Sequence, residues 1–454
     1  MPQWWCGWEG CRGPAAQDSG DCLLCNRHLC RKHRRKPFHQ CPTPEENWAA
    51  YEKQYQAAET RDIAALRQRI NHSALCLHAS KLRGGKTCSV ELSHEKLSTM
   101  LGNQNCHAEI TFEDDVRWLA RFRLERVTSP PRNIRDWILQ SEAATMIYLQ
   151  RHTSIPSPKV FDWACESDPE NKIGVGYILM EKLEGKPLVW QLANDQEKET
   201  VIQQLVDISL EIARHPFNVM GSLILSTDKS MSIQGLARPS TFRPEGGPIG
   251  PFSSPIEGWQ ELLQPYLSMI SSGEVDTCCP VETYLMHRYR LDNLGCLRGD
   301  TSTEDQFFLR HPDDKGDHIL VDDSFHIVGV IDWEWTCTGS KEEAFCSPCM
   351  MWPLRKFYEG SNELSMEELR LADVFRERNR DDLARCVIEG RKIQRFFFNL
   401  GPDGSYSTLE KHQSLFKGLQ QALYSQSDNW NTWKSRAIEK WKEDSLLLSL
   451  LELE

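Results

Sequence analysis

Apolar and polar residues alternate along two neighbouring stretches, 106–112 and 116–122, and three acidic residues lie between them. Alternation of this kind is typical of strands that bury one face, and a short acidic segment suits the turn that joins them. The pattern therefore predicts a β-hairpin. Further along, the apolar run at 174–185 predicts a buried strand that ends in a turn.

Helical patterns surround these strands. Residues 45–70 contain good helix formers and neither Gly nor Pro, so they predict an amphipathic helix. Its expected apolar stripe comprises Trp48, Tyr51, Tyr55, Ile63, Leu66 and Ile70. A second helix is predicted around 136–151, before two prolines. Residues 236–255 are rich in Pro, Gly and Ser and predict a long loop, either a lid or a surface excursion.

Length and charge bound the class of protein. A chain of 454 residues has room for two or three packed units. No apolar stretch is long enough to span a membrane, and the N-terminus lacks the pattern of a secretory signal, so we expect a cytoplasmic or nuclear protein. The net charge of −12 argues against nucleic-acid binding over the whole surface. In a reducing compartment disulfides are rare, so the 17 cysteines need another explanation.

Eight potential metal ligands crowd the first 41 residues. They are Cys6, Cys11, Cys22, Cys25, Cys30, His33, His39 and Cys41. Eight sulfur and imidazole donors are enough for two tetrahedral Zn²⁺ sites, and a segment this short needs metal to be stable. The alternative is a Cys-rich segment without a fixed structure. His28 is a further imidazole, which could compete for a ligand position or serve as a surface or packing residue.

The spacing of these ligands resembles the AN-one-type zinc finger over residues 6–41. The last six ligands fit that pattern, whereas the first two cysteines are separated by four residues instead of two. The resemblance implies crossed ligation of two zinc ions. One ion is held by Cys6, Cys11, Cys30 and His33, and the other by Cys22, Cys25, His39 and Cys41. The basic run at 27–36 is either a solvated face or a nuclear-localisation or nucleic-acid patch.

Two acidic motifs lie in the second half of the chain. His311-Pro312-Asp313 precedes an apolar strand and an acidic turn, and Ile331-Asp332-Trp333-Glu334 follows the next apolar strand. Over about 75–400 this arrangement resembles the aminoglycoside phosphotransferase branch of the protein-kinase-like fold. The resemblance implies an α+β, bilobal architecture with a small zinc-stabilised module at the N-terminus. The expected units are a finger (1–45), a helical connector (46–72), a small lobe (73–185), a large lobe (186–404) and C-terminal helices (405–454).

The same resemblance implies ATP- and Mg²⁺-dependent phosphoryl transfer. Asp313 would orient and deprotonate an acceptor hydroxyl, and Asp332 would hold Mg²⁺ at the nucleotide phosphates. Arg121 would pair with the phosphates and be oriented by Glu142. Backbone groups from Glu181 to Leu183 would face the adenine.

Three departures bear on activity. Arg121 stands where the family has a lysine, and a guanidinium needs a differently shaped pocket. His318 stands where the family has a metal-binding asparagine; imidazole is a poor Mg²⁺ ligand, although Asp317 could replace it. Gly102 is the single glycine of the phosphate-loop segment.

Two hypotheses follow: a phosphotransferase acting on an unknown small-molecule hydroxyl, or an inactive scaffold whose finger recruits a protein partner. A nucleic-acid-binding regulator rests on the basic run alone.

Three other features have open interpretations. Glu342 and Glu343 follow the second acidic motif and would attract a cationic acceptor or remain exposed helix carboxylates. Cys346 and Cys349 have metal-ligand spacing, but we interpret them as a helix-entry turn. The apolar C-terminal segment predicts a packed helix, with a partner-binding helix as the alternative.

Overall fold

The computed structural model describes residues 2, 4–127, 129–226, 230–243, 247–297, 306–398 and 408–452. Its helices are α1 (Trp48–Arg69), α2 (His72–Leu82), α3 (His94–Thr99), α4 (Arg132–His152), α5 (Asp195–Ala213), α6 (Pro255–Ser272), α7 (Pro280–Asp292), α8 (Lys341–Phe345), α9 (Leu354–Tyr358), α10 (Met366–Glu377), α11 (Asp381–Ile388), α12 (Arg391–Phe397), α13 (Leu409–Tyr424), α14 (Trp430–Lys440) and α15 (Ser445–Leu451).

Sixteen strands lie in the described part of the chain. They are β1 (Asp21–Cys22), β2 (Arg27–His28), β3 (Cys88–Val90), β4 (Asn105–Phe112), β5 (Arg117–Arg123), β6 (Val160–Ala164), β7 (Tyr177–Glu181), β8 (Lys186–Pro187), β9 (Ser222–Leu225), β10 (Met231–Gln234), β11 (Phe242–Arg243), β12 (Gly247–Pro248), β13 (Phe307–Arg310), β14 (Ile319–Val321), β15 (Ile327–Val330) and β16 (Cys337–Ser340). The mixed α+β class expected from the sequence is confirmed.

A five-stranded antiparallel sheet organises residues 48–181, which we call the small lobe. Its strand order is β3-β4-β5-β7-β6, and the predicted hairpin is confirmed as β4 and β5. Successive side chains of a strand point to opposite faces. Accordingly Phe122 packs with Leu66 of α1 and Leu75 of α2, whereas Ile178 packs with Ala143 of α4 on the other face. The sheet therefore lies between α1 and α2 on one side and α4 on the other.

Helix α1 confirms the amphipathic helix predicted over 45–70 and corrects its apolar stripe. Ile63 and Leu66 are fully enclosed. Trp48, predicted to share that stripe, is 63% exposed and lies near Tyr51 instead of the sheet. The buried residues of α1 lie in its second half, which is the part that packs against the small lobe.

The chain leaves the sheet after β7 and enters a smaller one. Strand β8 pairs with β14, and β14 pairs with β15. Gly185 makes this passage possible: its φ is +146°, and a Cβ there would lie 2.6 Å from Cγ2 of Val328. The segment between the lobes is therefore joined directly to the hairpin that separates the two acidic motifs.

Helices dominate the described chain from residue 186 onward, which we call the large lobe. Helices α6 and α7 share one core with the C-terminal helices, in which Trp433, Trp441 and Leu447 are buried. The predicted packing of the C-terminal segment is confirmed. Residues Leu236 and Phe252 of the predicted loop also belong to this core. Within the described ranges, no helix is both long enough and apolar enough to cross a membrane.

Candidate functional site

Arg121 lies at the centre of a cluster of carboxylates. Strand alternation directs its side chain toward α4, where the Nη2 atom lies 3.2 Å from Oε1 of Glu142. The same nitrogen lies 3.1 Å from Oδ1 of Asp332 and 2.7 Å from Oε2 of Glu334. The sequence-predicted residues Arg121, Glu142 and Asp332 are thus in contact.

Two residues complete this cluster and were missed in the sequence. Arg123 donates to Glu334, and Nδ2 of Asn105 lies 2.7 Å from Oε2 of the same carboxylate. Arg123 is two residues beyond Arg121 and so shares its face of β5. That alternation was the available signal, because it directs both guanidinium groups to one side of the strand.

Burial and charge separate the two enclosed carboxylates of the cluster. Burial raises the pKa of Glu142 to about 8, despite the opposing charge of Arg121. Burial acts in the same direction on Glu334, but the charges of Arg123 and Arg121 outweigh it and hold the pKa of Glu334 below its usual value. The two arginines therefore favour the charged form of Glu334, whereas burial favours the neutral form of Glu142.

Asp332 differs from these two carboxylates because it reaches solvent. Its side chain is 52% exposed, and its φ of +61° lies in the left-handed region that few non-glycine residues adopt. The next residue, Trp333, is buried and donates its indole N–H to the carbonyl oxygen of Val330 at 2.9 Å. The buried indole anchors the turn, and the strained backbone presents the Asp332 carboxylate outward.

His311 connects the loop of Asp313 to the turn of Asp332. Its Nε2 atom lies 2.9 Å from the carbonyl oxygen of Ile331, and its Nδ1 atom lies 2.8 Å from the carbonyl oxygen and 3.2 Å from the backbone nitrogen of Asp313. Both ring nitrogens of His311 therefore contact backbone atoms, one in each of the two loops. One ring therefore sets the relative position of the two acidic loops.

His318 packs beside this connection. Its ring stacks on His311 with centroids 4.2 Å apart, and its donor atoms lie within 4.8 Å of those of Asp313 and Asp317. Burial lowers the pKa of His318 to about 3, so the imidazole is neutral. Its Nδ1 atom is enclosed and has no hydrogen-bond partner.

The segment between the lobes, residues 182–185, lies close to the hairpin formed by β14 and β15. The N–H of Glu181 donates to the carbonyl oxygen of Lys159 at 2.8 Å, which completes the edge of the sheet. The side chain of Leu183 packs against Gly329, where a Cβ would lie 2.5 Å from its Cδ1 atom. Leu183 is therefore adjacent to the strand that leads to Asp332, whereas Glu181 ends β7 and contacts Lys159.

The ligand atoms of the N-terminal segment form two groups. Cys6, Cys11, Cys30 and His33 form one group, and Cys22, Cys25, His39 and Cys41 form the other, each with its donor atoms within 4.8 Å of one another. Sγ of Cys6 lies 3.4 Å from Nδ1 of His33, for example. Both groups could hold a metal ion. His28 belongs to neither; it is buried, with Nε2 2.7 Å from the carbonyl oxygen of Ala16, and is a packing residue.

This N-terminal module (residues 4–41) docks on the large lobe through a buried aspartate. Nη1 of Arg34 lies 2.7 Å from Oδ2 of Asp276, and Nε of Arg31 lies 3.3 Å from Oδ1. The backbone N–H of Gln17 donates to the carbonyl oxygen of Glu274 at 2.8 Å. Two arginines of the basic run are thus engaged within the chain, which reduces the charge available to a nucleic acid.

Glu343, one of the two carboxylates considered for attracting a cationic acceptor, has a structural role. It is 7% exposed and caps α8 together with Ser340. It also accepts a hydrogen bond from the indole of Trp259 at 3.0 Å and lies 3.2 Å from Arg310. A carboxylate enclosed in this way cannot attract a cationic substrate from solvent.

Comparison with known proteins gives limited matches. No protein-family model matches the chain. A subtelomeric hrmA-associated cluster protein of Aspergillus fumigatus strain Af293 is 31% identical over 107 residues, which are 23% of this chain and 21% of that protein. A counterpart in a second A. fumigatus strain matches to the same extent. The chain therefore spans about a fifth of the length of the curated relatives it matches.

Three solved structures illustrate the structural likeness. A candidate fructosamine-3-kinase from Thermobifida fusca has a TM-score of 0.43 and 17% identity, covering 77% of this chain and 98% of its own. Aminoglycoside 2'-phosphotransferase-IIIa with GDP has a TM-score of 0.40 and 16% identity, covering 82% and 98%. Macrolide 2'-phosphotransferase MphH from Brachybacterium faecium has a TM-score of 0.38 and 13% identity, covering 78% and 99%.

Proposed function

We propose that this protein is a kinase-like phosphotransferase that uses ATP and Mg²⁺ to phosphorylate a hydroxyl group of a small molecule. The observation that carries the proposal is the contact between Arg121, in the small-lobe sheet, and Asp332, in a large-lobe turn. Nη2 of the arginine lies 3.1 Å from Oδ1 of the aspartate. The loop of Asp313 is joined to that turn through His311. A basic group, a metal-binding carboxylate and a second carboxylate on adjacent loops are what phosphoryl transfer requires.

Asp332 fits the role of a magnesium ligand better than any other carboxylate of the cluster. Mg²⁺ keeps several waters and is commonly held by one or two carboxylates together with substrate phosphates. The half-exposed Asp332 has space for such a shell, whereas Glu334 is enclosed and already accepts from three donors. When bound, the ion would neutralise charge on the transferred phosphoryl group.

Asp313 would act on the acceptor. Its side chain is 30% exposed and is oriented by the backbone N–H of Lys315, 3.3 Å from Oδ1. A carboxylate held this way can accept the proton of a substrate hydroxyl as that oxygen attacks, a contribution of about 10²–10⁴-fold in many enzymes. Arg121, fixed by Glu142 and Glu334, would present its guanidinium to the phosphates.

A second candidate function is an inactive scaffold, and one observation favours it. Arg121 already contacts three carboxylates, so phosphate would have to compete with Asp332 for the guanidinium. In that case the ion cluster would hold the lobes together without binding a nucleotide.

Under either candidate, we propose that the N-terminal module binds two structural Zn²⁺ ions and serves for targeting or protein binding.

Titration calorimetry of MgATP into the zinc-loaded protein tests the proposal. We expect binding that requires Mg²⁺ and that Asp332→Asn weakens at least tenfold, because the amide removes the metal-binding charge. Asp323→Asn is the matched control, since that carboxylate lies in a nearby turn and is fully exposed. Asp313→Asn should retain MgATP binding. Absence of Mg²⁺-dependent binding in the unsubstituted protein would exclude the phosphotransferase and leave the scaffold.

A further inference from the structure

Three soft metal donors meet where α7 and α13 approach each other. Cys278 and Cys279 precede α7, and His412 lies in the first turn of α13. Sγ of Cys279 lies 3.3 Å from Nδ1 of His412, although 133 residues separate them in the chain. Sγ of Cys278 lies 3.7 Å from Sγ of Cys279. All three donor atoms are within 4.8 Å of one another.

These separations suit ligands that share one ion. Zn–S bonds of about 2.3 Å and Zn–N bonds of about 2.0–2.1 Å place neighbouring ligand atoms of a tetrahedron roughly 3.3–3.8 Å apart. The N-terminal module provides an internal reference: its S–N distances are 3.4 Å for Cys30 and His33 and 3.7 Å for Cys25 and His39. The donors near α7 are therefore spaced like those of the two groups in the N-terminal module.

We propose that Cys278, Cys279 and His412 form a third metal site, which binds Zn²⁺ and is independent of the proposed phosphotransfer. Two thiolates and an imidazole select zinc over the hard ions Mg²⁺ and Ca²⁺. Three protein ligands leave the fourth position of a tetrahedron for water or an external ligand. Cys279 and His412 are buried, whereas Cys278 is exposed, so the ion enters from the surface at Cys278.

The site has a structural consequence. An ion there links the start of α7 to the start of α13, in the core shared by α6 and α7 with the C-terminal helices. It also immobilises the segment just after Asp276, the residue on which Arg31 and Arg34 dock. With three ligands instead of four, this site should release its zinc to a chelator before the N-terminal module does.

A simpler arrangement would be a hydrogen bond between the Cys279 thiol and His412. That arrangement needs no metal ligand from Cys278, so the zinc content of Cys278→Ser distinguishes the two; the exposed position also makes misfolding of this variant a small concern. Cys296→Ser is the matched control, because Cys296 is a partly exposed cysteine of the same lobe that contacts the hydroxyl of Tyr424.

Zinc content per chain, measured by mass spectrometry on the full-length protein, gives the test. We expect Cys278→Ser and His412→Asn each to hold one zinc fewer than the unsubstituted protein, and Cys296→Ser to hold the same number. The comparison is a difference, so it does not depend on the number of ions in the N-terminal module or on nucleotide binding. Equal zinc content in Cys278→Ser and the unsubstituted protein would overturn the proposal.

Alkylation provides a second readout. A zinc-bound thiolate reacts slowly with iodoacetamide, so Cys278 should become modified several-fold faster after mild chelation. Peptide mass spectrometry can follow Cys278 and Cys296 in one sample. A rate at Cys278 that chelation leaves unchanged would also overturn the proposal.

Discussion

Arg121 and Asp332 are 211 residues apart in the chain, yet both Nη atoms of the arginine lie 3.1 Å from Oδ1 of the aspartate. The contact joins the small-lobe sheet to a turn of the large lobe. Asp332 is half exposed, while Glu142 and Glu334 are buried, so the attraction of Arg121 to Asp332 is the most strongly screened of the three. Of the three carboxylates, Asp332 is therefore the one that Arg121 holds least strongly, which is consistent with its proposed role as a metal ligand.

Substitution of Arg121 should destabilise the protein strongly. Arg121→Met leaves Glu142 and Glu334 buried without their shared cation, and breaking a buried ion pair in this way typically costs about 3–5 kcal/mol. Arg117→Met is the matched control on the same strand: its side chain is 52% exposed and its nearest carboxylate is 3.8 Å away, so a loss of at most about 1 kcal/mol is expected.

Urea unfolding followed by circular dichroism compares the two variants. A free energy of unfolding for Arg121→Met within about 1 kcal/mol of that for Arg117→Met would show that the cluster contributes little to stability.

Zinc binding in the N-terminal module should depend on the grouped ligands and not on the remaining imidazole. Cys30→Ser removes one donor of the first group and is expected to lower the zinc content by one ion per chain. His28→Gln should retain every ion, because His28 contacts a backbone carbonyl and belongs to neither group. Loss of zinc from His28→Gln with retention in Cys30→Ser would contradict the crossed ligation.

Docking of the N-terminal module should weaken when Asp276 loses its charge. Asp276→Asn keeps the shape of the side chain but leaves Arg31 and Arg34 without their carboxylate. Because both arginines are about one-third exposed, we expect a loss of roughly 1 kcal/mol, less than for a fully buried pair. Hydrogen exchange of the Gln17 amide, which donates to Glu274, should accelerate several-fold.

The exposed Asp373, paired with Arg376, offers the comparison for this experiment. Asp373→Asn should leave exchange at Gln17 unchanged. High salt should reproduce part of the Asp276→Asn effect in the unsubstituted protein, since screening weakens the same attraction. Identical exchange in Asp276→Asn and Asp373→Asn would show that the backbone contact alone holds the module.

Local pattern was enough to predict the elements around the site. Alternation at 106–122 predicted the hairpin, whose strands pair His107 with Arg121. Apolar spacing and the following prolines predicted α4, which carries Glu142. These features depend on side-chain periods of two and 3.6 residues, which a single sequence shows directly.

Long-range partners could not be predicted in the same way. Glu334 meets Arg121 across 213 residues, and Asp276 meets the basic run across more than half of the chain. Such contacts depend on how whole elements pack, and no local period reports that. The prediction that Trp48 belongs to the buried stripe of α1 was wrong for a related reason. Amphipathic spacing shows which residues share a helix face, but not how far along the helix the neighbouring sheet extends.

His107 gives a prediction about acid stability. It pairs with Arg121 across the hairpin, and burial together with the charge of Arg121 lowers the pKa of His107 to about 4. In the unfolded chain the imidazole has its ordinary pKa of 6.5. Between these two values the unfolded state binds more protons than the folded state, so the free energy of unfolding falls as the pH is lowered from 6.5 toward 4.

Replacement of His107 by Asn should remove this dependence. One proton accounts for a slope of at most about 1.4 kcal/mol per pH unit, and His107→Asn should flatten the profile of unfolding free energy by part of that slope within this window. His152→Asn, at an exposed position, should leave the profile unchanged. Above pH 7 the imidazole of His107 is neutral in both the folded and the unfolded protein, so the two variants should show parallel profiles there. Equal slopes for both variants between pH 4 and 6.5 would mean that His107 is protonated in the folded protein, beside Arg121.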